Sequence, residues 1–331
     1  MNSSKDSSRK LQTVSFIMPI LNEEKYLAEA VESIFEQKGM ENSNIEVVLA
    51  LGPSTDNTNQ VAEGLKSRFL VKTVPNPTGK TPAGLNLAIG QVSNDVVVRV
   101  DAHSVLSPNY TSLALEILNE TGAANVGGLM KAEGQGAFQK AVAWAYRSRI
   151  GLGGGSFHVG GKAGPSDSVY LGVFRTQTLR SLGGFDEKMI RGQDWELNLR
   201  IRKSGQVVWF DPRLEVTYFP RSKLSKLAKQ FFDTGAWRAQ LTRSHLGSAN
   251  LRYFAPPLAV LGMGLGLIAF FFGFGGFFGL FPSFIYSAFV LLSGITAKEL
   301  NLGSKLALLV VLPTMHMSWG SGFLSGLLFK R

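Results

Sequence analysis

Val96-Val97-Val98-Arg99-Val100-Asp101-Ala102-His103 is the stretch that decides the fold. Its valine-rich beginning is typical of a buried β-strand at the centre of a sheet. The strand ends in an acid, a small residue and an imidazole. Side chains alternate along a strand, so Asp101 and His103 project to one side if the extended geometry continues, and they can then bind one cation. The alternative is that Asp101 caps a turn leading into Ser104.

Composition limits the kind of protein that this chain can be. Its 331 residues are enough for one large domain or two ordinary ones. The absence of cysteine excludes disulfide bonds and thiolate metal sites. Lysine and arginine number 34 against 24 acidic residues, and the resulting charge of +10 suits an anionic partner, which by charge alone can be membrane lipid, nucleotide phosphate or nucleic acid. We expect no nucleic-acid partner.

Charged and apolar residues divide the chain into four predicted regions. Residues 1–12 are polar and charged without an apolar core, which predicts a disordered tail and not a secretory signal. Residues 13–220 have the composition of a globular domain, which we expect in the cytoplasm. Residues 221–252 are basic, and residues 253–331 are nearly uncharged and rich in Leu, Phe and Gly, as membrane helices are.

Strand and helix patterns alternate through the globular region. We predict strands over 14–18, 45–51 and 70–74 before the central strand, and helices over 23–37, 58–69 and 82–89. Pro19 is expected to break the first strand, and Asn22 to cap the helix that follows. The alternation implies a mostly parallel α/β sheet flanked by helices. Ligands bind at the carboxyl ends of such strands, where Asn22, Asp56 and Asp101 fall, so a nucleotide cleft is predicted there.

The second half of the globular region predicts further helices and strands. The helices are expected over 109–120, 138–150 and 193–204, and the strands over 126–130, 168–174, 207–210 and 216–219. Two stretches, 151–156 and 160–164, are dense in glycine. Such a segment often becomes ordered over a bound ligand, although a plain linker explains the composition equally well.

Gly79-Lys80-Thr81 is similar to the end of a phosphate-binding P-loop. The first glycine of that motif would fall at Val74, however, and Pro75 and Pro77 occupy a loop whose amide groups should contact phosphate. A P-loop ATPase is therefore only a minor alternative for the function of this chain. Lys80 is a donor-binding candidate because its charge can contact a phosphate, and an ordinary turn before a helix is the competing explanation.

Gln193-Asp194-Trp195-Glu196 opens a predicted helix. An acid in the first turn of a helix commonly interacts with the helix dipole, and this is one explanation of Asp194. The other explanation is catalytic. A sugar hydroxyl becomes a competent nucleophile when a carboxylate within hydrogen-bond reach removes its proton, so Asp194 is also a candidate general base.

The order and spacing of four motifs resemble the inverting family-2 glycosyltransferases of the GT-A fold. The motifs are Pro19-Ile20-Leu21-Asn22-Glu23, Ser54-Thr55-Asp56, Asp101-Ala102-His103 and Gln193-Asp194, within a resemblance that covers Val14 to Arg238. Residues 99–104 and 193–198 are most similar to bacterial exopolysaccharide transferases of the succinoglycan type. The resemblance implies a GT-A sheet with transmembrane helices after it.

The resemblance also implies roles for single residues. Asp194 would be the catalytic base, while Asp101 and His103 would hold a divalent ion, Mn²⁺ or Mg²⁺, that neutralises the departing diphosphate. The donor-binding residues would be Pro19, Asn22, Glu23, Asp56 and Asp101, beside Lys80. The acceptor side would include Gln193, Gln230 and Trp237, although helix packing explains Trp237 as well.

This sequence departs from the family pattern at three places. Many relatives carry paired acids after the second strand, and Leu51 and Gly52 replace them here, which leaves the base of the donor nucleotide open. The usual Asp-x-Asp reads Asp-x-His, which removes one negative charge, keeps a ligand and favours manganese slightly. Gln193 occupies the position of the acid that usually precedes the base.

The basic region and the C-terminal region predict membrane association. Leu224, Leu227, Ala228 and Phe231 recur at helical spacing beside lysines, as in a helix lying on an anionic membrane face, with a merely solvated helix as the alternative. Residues 256–280 are uncharged and long enough to span.

Two further segments leave the number of spans at two or three. Residues 284–297 are short for a span unless a helix boundary falls at Gly275-Gly276. Residues 305–329 are interrupted by Pro313, His316 and Gly320, and the charges that follow favour a re-entrant or interfacial segment.

We therefore expect a multi-pass protein of the cell inner (plasma) membrane with a cytoplasmic GT-A domain. It would move a sugar from a nucleotide-sugar donor to a lipid-linked glycan acceptor during exopolysaccharide or cell-envelope glycan synthesis. Polyprenyl phosphate as the acceptor is the alternative within this class. A non-catalytic membrane scaffold that binds sugar nucleotides is the alternative from another class.

Overall fold

The computed structural model describes residues 13–102, 104–245 and 250–329. The strands are β1 (Val14–Ile20), β2 (Ile45–Leu51), β3 (Val71–Pro75), β4 (Val96–Arg99), β5 (Asn125–Ala132), β6 (Gly164–Pro165), β7 (Tyr170–Arg175) and β8 (Val208–Tyr218). The helices are α1 (Leu27–Phe35), α2 (Thr58–Leu65), α3 (Thr81–Gln91), α4 (Tyr110–Thr121), α5 (Gly136–Arg147), α6 (Arg149–Leu152), α7 (Ser156–Val159), α8 (Thr176–Ser181), α9 (Gln193–Lys203), α10 (Leu224–Ser244), α11 (Ala255–Phe271), α12 (Phe281–Thr296) and α13 (Leu302–Leu328).

These elements form two compact units. The first takes in the described residues up to Gly128 together with Ala163–Ile190 and Arg200–Val216. The second takes in Leu129–Lys162, Arg191–Leu199 and the described residues from Thr217 onward. The sheet has the strand order β3-β2-β1-β4-β7-β5-β8-β6. Its first four strands are parallel neighbours, whereas β7 pairs antiparallel with β4 and β5. The predicted α/β class is confirmed.

The β4 strand lies inside the sheet, as its valine run predicts. Val96, Val97 and Val98 are all buried, so both faces of the strand are covered. It pairs with β1 on one side and with β7 on the other. Val100 N still donates a hydrogen bond to Ile17 O after the strand ends, so Asp101 begins the loop at the carboxyl end of β4.

Pro19 does not break β1, which continues to Ile20. The expected break was wrong because of the neighbouring strands. The register with β4 ends at Ile17, so from Met18 onward β1 is paired with β2 alone. A proline is tolerated where a strand has one open side, because the N–H that it lacks is not needed by a second neighbour.

Several helix boundaries also differ from the sequence prediction; α2, for example, ends at Leu65 and not at residue 69. Helix α1 begins at Leu27 and not at residue 23, because Asn22 has a φ of 57° and bonds to the loop after β2 instead of capping a helix. The helix predicted over 138–150 ends at Arg147. Ser148 then caps a separate short helix by accepting a hydrogen bond from Ile150 N.

One long strand, β8, replaces the two short strands predicted over 207–210 and 216–219. The residues between them contain Leu214, which is fully buried in the core of the first unit. Val216 forms a bridge with Leu106. Burial of this connecting stretch keeps it extended.

Glu46 of β2 is a buried acid in the first unit, and several donors hold it. Lys72 Nζ forms an ion pair with it, Ser15 Oγ donates at 2.6 Å and Ser93 N donates at 3.0 Å. Burial by itself would raise the pKa of Glu46, but hydrogen bonds from Lys72, Ser15 and Ser93 outweigh it and lower the pKa below 4.5. The ionised form is therefore the one that stabilises the fold.

We expect Glu46→Gln to lower the melting temperature at neutral pH by about 3 °C or more, because buried donors lose a charged acceptor. A lowered folded-state pKa gives stability that is present above pH 4.5 and is lost as the pH falls through the folded value. The deficit of the variant should therefore shrink in acid. Thermal unfolding across pH measures this. Glu63→Gln, at an exposed ion pair with Lys66, is the control that should leave the melting temperature unchanged.

The second unit contains two long helices, α10 and α13, that pack along each other. Leu227 and Phe231 of α10 share a buried cluster with Met315 of α13. A Cβ atom at Gly322 would overlap the carbonyl of Phe232, so this close approach requires glycine. Protein therefore covers the apolar residues Leu227 and Phe231, which were expected to face lipid.

Three helical segments in the described part of the chain are long and apolar enough to cross a membrane. They are Leu251–Phe271, Gly276–Thr296 and Leu302–Leu328. The first two are separated near Gly275, which has a φ of 89°, so a helix boundary does fall at Gly275-Gly276. The expected interruption of the last segment is wrong, because α13 continues through Pro313. A proline is tolerated inside such a helix because neighbouring helices and side chains satisfy the backbone groups that it leaves without partners.

Candidate active site

Two loops at the carboxyl ends of β1 and β2 are joined by side-chain hydrogen bonds. Asn22 Oδ1 accepts from Thr55 N at 2.8 Å, and Asn22 N donates to Ser54 Oγ at 3.0 Å. The φ of Asn22 lies in the left-handed region, which asparagine adopts more readily than most residues. The predicted donor-binding residue Asn22 thus fixes the shape of both loops.

Asp56 forms a second connection between the same two loops. Its carboxylate accepts hydrogen bonds from Thr58 N at 3.1 Å and from Glu24 N at 3.3 Å. Glu23 N donates to Thr58 Oγ1 at 2.8 Å. The hydrogen bond from the Thr58 hydroxyl is the main reason why the pKa of Asp56 is lowered. The structure therefore brings together Asn22, Glu23 and Asp56, three of the predicted donor-binding residues.

We expect Asn22→Ala to lower the melting temperature more than Asn22→Gly. Both variants lose the hydrogen bond to Thr55, but only alanine keeps a side chain in the left-handed region, at a cost of about 1 kcal/mol. Thermal unfolding of the two variants measures the difference. Equal melting temperatures would mean that alanine adopts the left-handed φ at position 22 without cost, and would contradict this prediction.

Lys80 lies at the same edge of the sheet, immediately before α3. Its carbonyl accepts a hydrogen bond from Asn76 Nδ2 at 3.1 Å, and its side chain is exposed. A Cβ atom at Gly52 would lie 2.9 Å from Ile20 O and 3.3 Å from Gly79 Cα, so the loop after β2 passes closely over both neighbours. Pro19 packs beside α3, at 3.2 Å from the position of a Cβ at Gly84.

Asp101 is paired with Arg99, the last residue of β4. Arg99 Nη2 lies 2.9 Å from Asp101 Oδ1, and the side chains are 8 % and 22 % exposed. Asp101 O also accepts from Ser104 N at 2.9 Å, which turns the chain away from the sheet. The ion pair fixes the orientation of the carboxylate at the strand end and uses one of its two oxygens.

The second predicted metal ligand, His103, lies outside the described residues. In the described part of the chain, no group of three His, Asp or Glu side chains forms a complete metal site. A carboxylate and an imidazole are nevertheless a donor set that suits Mn²⁺. A metal at this loop would need further ligands from a bound anion such as a diphosphate.

Asp194 lies in the first turn of α9 and is half-buried, beside the buried Gln193. The next residue, Trp195, faces the guanidinium of Arg238 on α10, at 5.1 Å from the ring centroid. Arg191, just before the helix, lies 3.9 Å from Asp233, also on α10. Contacts with α10 on both sides of Asp194 therefore hold the start of α9 in place.

The two predicted acceptor-side residues on α10 differ in their surroundings. Gln230 Nε2 lies 3.2 Å from both the Tyr146 and the Tyr218 hydroxyl oxygens, and the two tyrosine rings stack at 5.6 Å. Trp237 is buried, with 8 % of the residue exposed. Gln230 is thus part of a polar and aromatic cluster.

Known proteins share this sequence pattern. Residues 15–179, about half of the chain, match the family described as glycosyl transferase family 2. The chain belongs to glycosyl transferase family 2. It is therefore a glycosyltransferase (EC 2.4), and nucleotide-sugar donors are typical of this family. The scaffold and P-loop ATPase alternatives are not supported.

Two curated relatives and one solved structure resemble this family-2 enzyme over most of its length. The succinoglycan biosynthesis protein ExoA of Rhizobium meliloti is 29% identical, over 98% of this chain and 99% of the relative. The dolichyl N-acetyl-alpha-D-glucosaminyl phosphate 3-beta-D-2,3-diacetamido-2,3-dideoxy-beta-D-glucuronosyltransferase of Methanococcus voltae is 27% identical, over 73% of this chain and 77% of the relative. The mannosyltransferase PcManGT of Pyrobaculum calidifontis, solved with GDP-Man and Mn²⁺, aligns over 97% of this chain and 88% of its own, with 17% identity and a TM-score of 0.65. That structure shows the same GT-A fold.

Sequence reasoning missed two arginines of this family-2 enzyme. Arg99 is two residues before Asp101 in an extended segment, and this spacing was an available signal, since such residues share a face. Arg238 has no predicted role and marks only the end of the resemblance, Val14 to Arg238. Its contact with Trp195 had no local signal, because the two residues are far apart in the chain.

Proposed function

We propose that this glycosyltransferase is membrane-anchored and inverting, and that it transfers a sugar from a nucleotide sugar to a lipid-linked acceptor. The observation that best supports the proposal is the joined pair of loops after β1 and β2, with Asp101 at the end of the adjacent β4. The carboxyl ends of parallel strands are where nucleotides bind in such sheets. Pro19, Asn22, Glu23, Asp56, Lys80 and Asp101 form the proposed donor-binding set.

Asp194 is the proposed base. Its carboxylate takes the proton of the acceptor hydroxyl as that oxygen forms its bond to the anomeric carbon of the donor sugar. The bond from the anomeric carbon to the diphosphate breaks, and the nucleoside diphosphate leaves with the electron pair. Attack opposite the leaving group inverts the configuration. Gln193, Gln230 and Trp237 belong to the proposed acceptor side.

A divalent ion, Mn²⁺ or Mg²⁺, is the proposed cofactor. Asp101 and His103 would hold it, and it would supply positive charge to the departing diphosphate when bound. Arg99 contributes in a different way, because it orients the Asp101 carboxylate and reduces the negative charge at the strand end.

Two facts support a lipid-linked acceptor. In the part of the chain that the structure describes, three helical segments are long and apolar enough to cross a membrane. The Methanococcus relative is a transferase named for dolichyl N-acetyl-alpha-D-glucosaminyl phosphate, and the Rhizobium relative is a succinoglycan biosynthesis protein. We therefore propose exopolysaccharide or cell-envelope glycan synthesis, at the plasma membrane, with the catalytic domain on the cytoplasmic side where basic residues are retained.

Polyprenyl phosphate itself is the second candidate acceptor, since an apolar anchor suits either lipid. The two acceptors differ in the nucleophile, which is a sugar hydroxyl in one case and a phosphate oxygen in the other. A phosphate oxygen is already ionised at neutral pH and needs no base. A requirement for the Asp194 carboxylate therefore favours the glycan acceptor.

The test uses the full chain in detergent or nanodiscs with UDP, GDP, dTDP and CDP sugars, each with and without Mn²⁺. Thermal shifts identify the donor base that Leu51 and Gly52 leave open. Transfer of labelled sugar from that donor to a bacterial lipid extract, with the product in the organic phase, supports the proposal. Labelled product found only as free sugar would contradict the lipid acceptor.

A further inference from the structure

The second unit contains a group of positive charges that the proposed donor site and base do not use. Arg252 belongs to a short 3-10 helix, Leu251–Tyr253, directly before α11. Its guanidinium lies 5.0 Å from the ring centroid of Tyr253, and Arg238 lies 3.8 Å from the same ring. Arg252 Nη2 also donates to the Tyr253 hydroxyl at 3.0 Å. Two guanidinium groups thus share one tyrosine.

The glycine-dense loop lies against this group. Cβ atoms at Gly153 and Gly155 would come within 3.5 and 3.7 Å of the Arg252 side chain. A Cβ at Gly154 would lie 3.4 Å from Arg149. Gly153 and Gly154 have φ values of 71° and 82°, which glycine adopts without strain. The loop therefore lies between the side chains of Arg149 and Arg252, and we name these two residues with Arg238 the arginine cluster.

Among the residues that the structure describes, no carboxylate neutralises Arg149 or Arg252 of the arginine cluster. Within the described ranges, Arg149 and Arg252 form no ion pair with an acid. Burial, with the charge of Arg252 as a smaller cause, lowers the pKa of the nearby His158 to about 3. The imidazole is therefore neutral at physiological pH, and its Nδ1 is buried with no hydrogen-bond partner among the residues that the structure describes. Uncompensated positive charge beside an unused polar atom favours an anionic ligand with oxygen atoms.

The position of the cluster indicates the source of that anion. Arg252 is the second residue of the first candidate membrane span, Leu251–Phe271. The Tyr253 ring stacks with Trp319 of α13 at 6.3 Å, and such aromatic residues are enriched at the level of lipid head groups. Leu251, beside Arg252, is 88 % exposed. A charged group next to an exposed apolar one suits a molecule with a phosphate head and a hydrocarbon tail.

We propose that the arginine cluster binds the phosphate groups that join the lipid carrier to its glycan in the acceptor. This inference rests on the proposed function, because it names the part of the acceptor that this site recognises. Arg252 and Arg149 contact phosphate oxygens beside the glycine loop, His158 supplies a neutral hydrogen-bonding nitrogen, and the tail lies along Leu251 and α11. The glycine loop is then part of a ligand site and not a plain linker.

The test measures binding of farnesyl diphosphate to the full chain in phosphatidylcholine nanodiscs, without any donor, by tryptophan fluorescence. Arg252→Gln is expected to weaken binding about tenfold or more, because a charged hydrogen-bond donor is lost. Arg149→Gln should weaken it by a smaller factor, and since this residue is exposed, the variant keeps the test available if Arg252→Gln does not fold. Lys298→Gln, an exposed cation after α12, is the matched control and should bind normally.

Unchanged affinity in both arginine variants, or an equal loss in Lys298→Gln, would overturn the proposal. Inorganic diphosphate that binds as tightly as farnesyl diphosphate would show that the tail is not recognised and would overturn the lipid assignment. Loss of binding in phosphatidylglycerol nanodiscs would assign the cluster to bulk anionic lipid and would also overturn it. If the chain transfers no sugar but still binds farnesyl diphosphate through Arg252, only the proposed function is contradicted. If the chain is active and Arg252→Gln leaves the KM for the lipid acceptor unchanged, only the proposed role of the arginine cluster is contradicted.

Discussion

Replacement of Asp194 with Asn is expected to reduce sugar transfer about 10²- to 10⁴-fold, which is the usual contribution of a general base. The amide has the size of the carboxylate but cannot take the proton of the attacking hydroxyl. Contacts of the neighbouring Trp195 and Arg191 with α10 hold the start of α9, so the variant should fold and keep its thermal stability. The fall should appear in kcat, while binding of the donor measured by thermal shift stays unchanged.

Asp167→Asn is the matched control for this substitution. Asp167 is exposed and lies 3.6 Å from Arg202, so the same isosteric change removes only a surface ion pair. Near-normal transfer by Asp194→Asn would mean that Asp194 is an ordinary first-turn acid that interacts with the helix dipole. Equal losses in both variants would also contradict the base assignment, because they would reflect a general effect of charge.

The position of the proposed donor-binding residues at one edge of the sheet could be predicted, because it depends on local patterns. A valine run with Asp101 after it indicates a central strand and a polar strand end, and alternation of strands and helices indicates which ends share an edge. The prediction failed at Pro19 and Asn22. In both cases the outcome depends on a neighbouring strand or loop that is distant in sequence: the register of β4 ends before Pro19, and Thr55 binds the side chain of Asn22.

For the apolar C-terminal helices, too, the sequence predicted local features and missed those that depend on distant residues. Local composition correctly indicated long apolar helices, and the boundary between the first two falls at the glycine pair that the sequence offered as one possibility. Pro313 was expected to interrupt the third, but tertiary packing outweighs the intrinsic cost of a proline, because buried residues such as Leu312 and Met315 hold α13 on both sides of it. From the sequence, Arg252 is only the last residue of the basic region 221–252. Its neighbours Gly153 and Gly155 come from a distant part of the chain, and no sequence period links them.

Replacement of Asp101 with Asn is expected to lower kcat/KM about a hundredfold or more. Loss of a residue that only supports a metal ligand already lowers metal affinity or activity about ten- to a hundredfold. The amide keeps an oxygen that can accept a hydrogen bond from Arg99, so the buried guanidinium retains a partner and the fold is preserved. What disappears is the negative charge that attracts the divalent ion. The variant should therefore need more Mn²⁺ for the same activity, and the metal-dependent part of the donor thermal shift should vanish.

Asp95→Asn is the control, because Asp95 is an exposed acid just before the same strand, β4, at its opposite end. If both variants lose activity equally, the effect belongs to strand stability and not to a metal. If Asp101→Asn loses activity while the Mn²⁺ dependence is unchanged, Asp101 acts on the donor through its pairing with Arg99 and not as a metal ligand. His103→Ala separates these roles further. If His103 is a metal ligand, its loss should shift the Mn²⁺ dependence in the same direction as the loss of Asp101, because both substitutions would weaken binding of the same ion.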